Sequence, residues 1–180
     1  MASLEIEILN ALQNIRFPLL DSLMVFVTKL GNGGLIWIIV GIFLLTRHKK
    51  KYKKMAFILL LSLIISAVVG LVILKPIVHR PRPFDTFGFK ELLIKAPKDF
   101  SFPSGHTSSS FAAASSINNL DKKFGKYALI LALLITFSRM YLYVHYPTDV
   151  AAGILLGLGS AKASKKIRRM IEEKIAKDKK

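Results

Sequence analysis

The chain has 180 residues, enough for one domain, with 52% apolar residues, 27 Lys+Arg against 11 Asp+Glu, a net charge of +16 and no cysteine. The apolar fraction excludes a disordered chain, and the missing cysteines exclude disulfide scaffolds and thiolate metal sites. The charge alone would fit a nucleic-acid binder, but residues 55–74 are twenty consecutive uncharged residues, the length of helix that crosses about 30 Å of hydrocarbon. The reading is therefore an integral membrane protein with basic tails and no nucleic-acid partner.

At the N-terminus, MASLEIEILN carries acids and no early basic cluster, unlike a cleaved signal peptide. Leu4, Ile8, Leu12 and Ile15 recur at helical spacing and predict an amphipathic helix on the membrane surface, with Ser3 as its cap and Glu5 and Glu7 in the first turn. Residues 17–30 are apolar but interrupted by Asp21 and Lys29. The first thirty residues thus hold either a surface helix or a sixth, tilted crossing, and the pattern leaves both open.

The expected crossings follow at residues 33–46, 55–74, 104–120, 127–144 and 148–163. The first of these is short unless it extends past the GNGG break at 31–34. Residues 104–120 are weakly apolar but uncharged and rich in Ser and Ala, which suits a helix packed tightly inside a bundle. The expected fold is all-α, an integral membrane bundle of about five to six transmembrane helices with an amphipathic N-terminal helix. Residues 1–163 form the membrane domain and 164–180 a basic cytoplasmic tail, in which Ile167, Met170, Ile171 and Ile175 share one helical face that would lie against anionic lipid.

Lys and Arg flanking crossings stay on the cytoplasmic side. Segments 47–54, 121–126 and 162–180 hold eighteen of the 27 cations, and five crossings put all three on one face. The C-terminus is then cytoplasmic. Span parity sends three polar clusters to the opposite, non-cytoplasmic face: KPIVHRPRP at 75–83, PSGH at 103–106 and SRMYLYVHYPTD at 138–149.

Lys75, Arg82 and Arg139 form a cationic set there, and each taken singly fits a side chain snorkelling to lipid headgroups. Arg139, however, lies inside an apolar run, and three cations from separate segments suit a multiply charged oxyanion such as phosphate. In PSGH, Ser104 is a good N-cap, Gly105 permits close approach, and a helix start offers unpaired N–H groups to an anion. Pro147 suits a first helical position, so Asp149 faces back toward His145 and can accept its imidazole N–H, leaving the other nitrogen free to attack phosphorus. His106 is then available to protonate the departing oxygen. No acid cluster offers a metal cage, and no cofactor is implied.

Lys75 followed by six residues and Arg82-Pro83, then PSGH, then Ser138-Arg139 with five residues to His145 and three more to Asp149, resembles the tripartite signature of the type 2 phosphatidic acid phosphatase superfamily. The resemblance implies a metal-independent phosphatase on a helical bundle, with His145 forming a phosphohistidine, Asp149 orienting it and His106 acting as the acid. It further implies that Lys75, Arg82, Ser104, Gly105 and Arg139 hold the phosphate oxygens. The small size resembles bacterial members acting on undecaprenyl pyrophosphate, phosphatidylglycerophosphate or phosphatidate, so a phosphorylated membrane lipid is the expected partner. A lipid phosphotransferase using the same phosphohistidine, or a non-catalytic phospholipid-binding membrane protein, are the alternatives. His79 and Arg80 fall outside the signature, and the sequence leaves open whether they contact a diphosphate or face water.

Overall fold

The computed structural model describes residues 2–178, with side chains from residue 4 onward. The expected Ser3 cap lies outside the described side chains. In chain order the helices are α1 (Ala2–Asn14), α2 (Pro18–Leu30), α3 (Leu35–Thr46), α4 (Lys50–Ala67), α5 (Lys75–Val78), α6 (Pro83–Phe87), α7 (Gly105–Asn118), α8 (Lys122–Tyr141) and α9 (Pro147–Lys177). No strand occurs among the described residues. The class is all-α, as the sequence implies.

Two helical stretches, Lys50–Phe87 and Lys122–Tyr141, are long and apolar enough to cross a bilayer alone. A third forms if α2 and the stretch Asn32–Thr46, bent by 44° at their junction, are taken as one span. Gly33 (φ 58) and Gly34 (φ 69) make that bend, adopting left-handed conformations that cost a residue with a Cβ. A separate break after Asn14, with the extended Phe17 and Pro18 opening α2, divides that helix from the N-terminal one. Asp21, which interrupts the apolar pattern there, is bound by Arg16 at 3.2 Å and by the Tyr141 hydroxyl at 2.6 Å.

α7 sits between α4, α8 and α9. Its Ser and Ala side chains are buried on several sides, which explains why its hydropathy is weak and its packing tight. α9 approaches it along Gly153 and Gly157. A Cβ on Gly157 would stand 2.5 Å from the Ser108 carbonyl oxygen, so only glycine permits this small-xxx-small contact. Hydrogen bonds reinforce the seams: Trp37 donates to Ser110 at 3.0 Å, and the Ser62 and Ser116 hydroxyls meet at 3.0 Å.

One local feature aims a polar residue, and another concerns the tail. Residues Val68–Leu74 are π-helical, and the stretch ends where Lys75 begins; such insertions recur at functional sites because they turn the side chains that follow. α9 continues unbroken to Lys177, so the basic tail is an extension of the last helix rather than a separate element.

Candidate active site

The structure gathers the three sequence clusters at one end of the bundle. Lys75 follows the π-helical stretch, Arg82 is the extended residue before α6, Arg139 lies in the last turn of α8, and His145 occupies the turn between α8 and α9. All four are buried, and Asp149 behind them is wholly so. A cavity of about 1190 Å³ opens onto Lys75, Arg82, Gly105, His106, Arg139 and His145. Ser104 and Asp149 do not line it.

The helix start at PSGH forms as expected. Ser104 Oγ accepts from the Thr107 amide at 3.4 Å and the Thr107 hydroxyl at 2.9 Å, while its own N–H donates to the Asp149 carbonyl at 3.1 Å. Ser104 therefore caps α7 and ties it to α9, and Gly105 is the residue of this pair that faces the cavity. His106 Nε2 lies 3.0 Å from Asn32 Oδ1, at the bend between α2 and α3.

His145 has distinct partners on its two nitrogens. Arg82 Nη1 lies 3.3 Å from Nε2, and a guanidinium can only donate, so this network assigns the lone pair to Nε2 and the proton to Nδ1. Nδ1 is 3.5 Å from both Asp149 Oδ2 and Ser101 Oγ. Asp149 thus stands beside His145 as expected, but without the expected direct hydrogen bond from Nδ1; the Ser101 hydroxyl touches both. Oδ2 also accepts from the Ser101 hydroxyl and, at 2.9 Å, from the Tyr146 amide, while Arg80 donates to Oδ1 at 2.7 Å.

Burial, together with the charges of Arg82, Arg139 and Lys75, holds the His145 imidazole well below its usual pKa. It is therefore neutral near pH 7, the state a nucleophile requires. The sign for stability follows: as pH drops below about 6.5, the unfolded chain takes up a proton that the native chain refuses, and stability falls. The melting midpoint should decrease from about pH 7.5 to about pH 5.5, by up to roughly 1.4 kcal/mol of stability per pH unit for this group. His145→Gln should flatten that slope; an unchanged slope would contradict a neutral buried His145.

Sequence reasoning passed over three contributors. Asp99 bridges two of the cations, at 2.5 Å from Lys75 Nζ and 2.7 Å from Arg82 Nη2. Burial alone would raise its carboxyl, but the Lys75 hydrogen bond and the Arg82 charge bring its pKa down to about 2. The signal was its isolation as the sole acid between Glu91 and Asp121, four residues before PSGH begins. Ser101 carried no such signal. Thr28 accepts from Arg139 Nη1 at 2.6 Å, leaving Arg139 Nε buried with no partner. Arg80 neither faces water alone nor lines the cavity; it turns inward to Asp149.

The structure thus sets a buried histidine beside three cations on the wall of one cavity, in an all-helical protein with helices apolar enough to cross a membrane. The sequence profile of the PAP2 superfamily matches residues 54–172, and the chain belongs to that superfamily. It is 35% identical over 153 residues to an undecaprenyl-diphosphatase of Sulfolobus acidocaldarius, covering 84% of this chain and 72% of that one. Among solved structures, LpxE of Aquifex aeolicus has 31% identity and a TM-score of 0.77, covering 89% of this chain and 94% of that one. A transmembrane PAP2-type phosphatidylglycerolphosphate phosphatase from Bacillus subtilis has 28% identity and a TM-score of 0.76, covering 94% and 87%. The chain is thus a hydrolase acting on phosphate esters.

Proposed function

We propose that the chain removes the terminal phosphate of a membrane lipid through a phosphohistidine formed on His145. The cavity carries this reading. Lys75, Arg82 and Arg139 line it beside His145, and Ile38, Ile42, Leu60, Leu63, Ile64 and Leu71 contribute an apolar wall. Charge beside His145 and hydrocarbon along that wall match a lipid phosphate, whereas a water-soluble ester would leave the apolar wall uncovered. The similarity to an undecaprenyl-diphosphatase favours undecaprenyl pyrophosphate, with phosphatidylglycerophosphate and phosphatidate as the competing substrates.

An entering phosphate competes with Asp99 for the N–H groups of Lys75 and Arg82, and takes the unpartnered Nε of Arg139. Arg82 moves from His145 Nε2 to a phosphate oxygen, freeing the lone pair. Nε2 bonds to phosphorus as the bond to the lipid oxygen breaks, and His106, entering the step as the imidazolium that the bound phosphate's negative charge favours, gives that oxygen its proton and is left neutral. Water then attacks the phosphohistidine and yields a proton to His106, and the N–P bond breaks to release phosphate. The cations and the N-terminal turn of α7 at Gly105 stabilise the charge on the equatorial oxygens. Ser104 serves by holding that turn.

The distribution of basic residues supports five to six crossings, an active site on the non-cytoplasmic face and a cytoplasmic C-terminus, with 1–163 as the phosphatase domain and 164–180 as the basic tail. A phosphate-release panel in detergent, comparing the three lipids with a water-soluble phosphate ester, tests the substrate class. The lipids should be turned over at least about tenfold more efficiently, since each buried CH₂ contributes about 0.8 kcal/mol. Equal turnover of the soluble ester would overturn the lipid reading. Because side chains supply the positive charge, activity should persist in EDTA, and a strict magnesium requirement would contradict this mechanism.

A further inference from the structure

We propose that Arg80, held by Glu5 of α1, is a positioning residue for the Asp149 and His145 couple, so that the N-terminal helix is part of the catalytic apparatus. This rests on the reading of His145 as nucleophile. The Arg80 guanidinium forks between two carboxylates: Nη1 donates to Asp149 Oδ1 at 2.7 Å and Nη2 to Glu5 Oε2 at 2.7 Å. Nη1 also reaches the Thr148 hydroxyl at 2.6 Å, and the guanidinium lies over the Tyr146 ring at 3.8 Å. Planarity and paired donors suit Arg to this bridge, and a lysine ammonium cannot span both acids in the same way.

Asp149 has no exposed surface. With Oδ2 committed to Ser101 and Tyr146, Arg80 is the partner of Oδ1 among the described residues. Removing Arg80 leaves a buried carboxylate oxygen unpaired, and the carboxylate is then free to rotate away from His145. Arg80 also fixes the other neighbour of His145, because its carbonyl accepts from the Ser101 amide at 2.8 Å.

Glu5 in turn holds both Arg80 and the start of α9. Its Oε1 accepts from the Thr148 amide at 3.2 Å and the Thr148 hydroxyl at 2.5 Å. Burial raises the Glu5 carboxyl, but the bonds from Thr148 and Arg80 more than offset this and keep it ionised. The rest of α1 docks on the same turn: Leu9 is fully buried, Gln13 donates to the Tyr141 carbonyl at 3.0 Å, and the Tyr143 hydroxyl donates to Asn10 at 2.8 Å. α1 lies outside the residues matched by the superfamily profile, so this support is a feature of this chain beyond the shared signature.

The test uses the purified full chain with undecaprenyl pyrophosphate, together with NMR of nitrogen-labelled histidine. Arg80→Met should lower kcat by on the order of 10²-fold with KM little changed, the size of effect that a misplaced catalytic group produces. Arg80→Lys should recover part of the loss, and Glu5→Gln should lower kcat by about tenfold. The Arg80→Met, Glu5→Gln double variant should be no slower than Arg80→Met alone, because glutamine keeps an oxygen for the Thr148 donors and the change at Glu5 then acts through Arg80. The His145 Nδ1–H resonance should shift or broaden in each variant. A KM rise with unchanged kcat would make Arg80 a substrate contact, and an unchanged kcat and His145 resonance would refute positioning. If the wild type releases no phosphate but the resonance still responds to Arg80→Met, the positioning stands and the phosphatase reading on this substrate fails. Should Arg80→Met fail to fold, Glu5→Gln and Arg80→Lys decide by the same kcat and resonance criteria.

Discussion

His145→Gln should abolish phosphate release, lowering kcat by on the order of 10⁴-fold or more, as removal of a covalent nucleophile does in other hydrolases. The imidazole is neutral, its Nε2 lone pair accepts from Arg82, and its ring is buried against the cations that would hold the phosphate. Glutamine keeps similar bulk and an oxygen for the Arg82 donor, so the variant should remain folded in detergent. Measuring phosphate release beside the melting midpoint separates chemistry from stability. A folded variant with wild-type turnover would remove His145 from the mechanism.

Arg139→Gln should lower kcat/KM by about 10²–10³-fold, the usual cost of deleting one donor at a developing oxyanion. Its thermal midpoint should hold or rise. Arg139 is almost fully buried with one guanidinium nitrogen unpartnered, and it shares its surroundings with Lys75 and Arg82, so its charge opposes the resting fold. Substitution relieves that repulsion at the expense of phosphate binding, a stability and activity trade-off. Parallel kinetics and thermal melts check both arms. Loss of stability together with unchanged catalytic efficiency in the folded fraction would make Arg139 a structural residue instead.

The local geometry of the motifs was legible in the sequence because it is carried by residue types at fixed spacing. His145 and Asp149 occupy one turn and the helix start that follows it, and Pro147 sets their geometry wherever the rest of the chain lies. Ser104 was legible as a cap for the same reason, although its side chain serves α7 and not the cavity. Contacts made by tertiary closure were not legible. Asp99, Thr28 and Glu5 reach the site or its supports from a loop, from α2 and from α1, across sequence separations that no periodicity encodes. Hydropathy likewise understated α7, whose buried faces are built of Ser and Ala. It also could not show that α9 runs unbroken through the basic tail.

The basic excess of the chain is mostly remote from the chemistry, since eighteen of its 27 cations lie in the three flanking segments. Lys75, Arg82 and Arg139 line the cavity beside His145, and Arg80 pairs with Asp149 behind it. The proposed mechanism phosphorylates His145 in the course of each turnover. The stereochemistry at phosphorus tests it most directly, using an oxygen-isotope-labelled chiral thiophosphate ester of the lipid. Two successive in-line displacements through His145 give retention of configuration; inversion would mean that water attacks the lipid phosphate directly and would contradict the phosphohistidine.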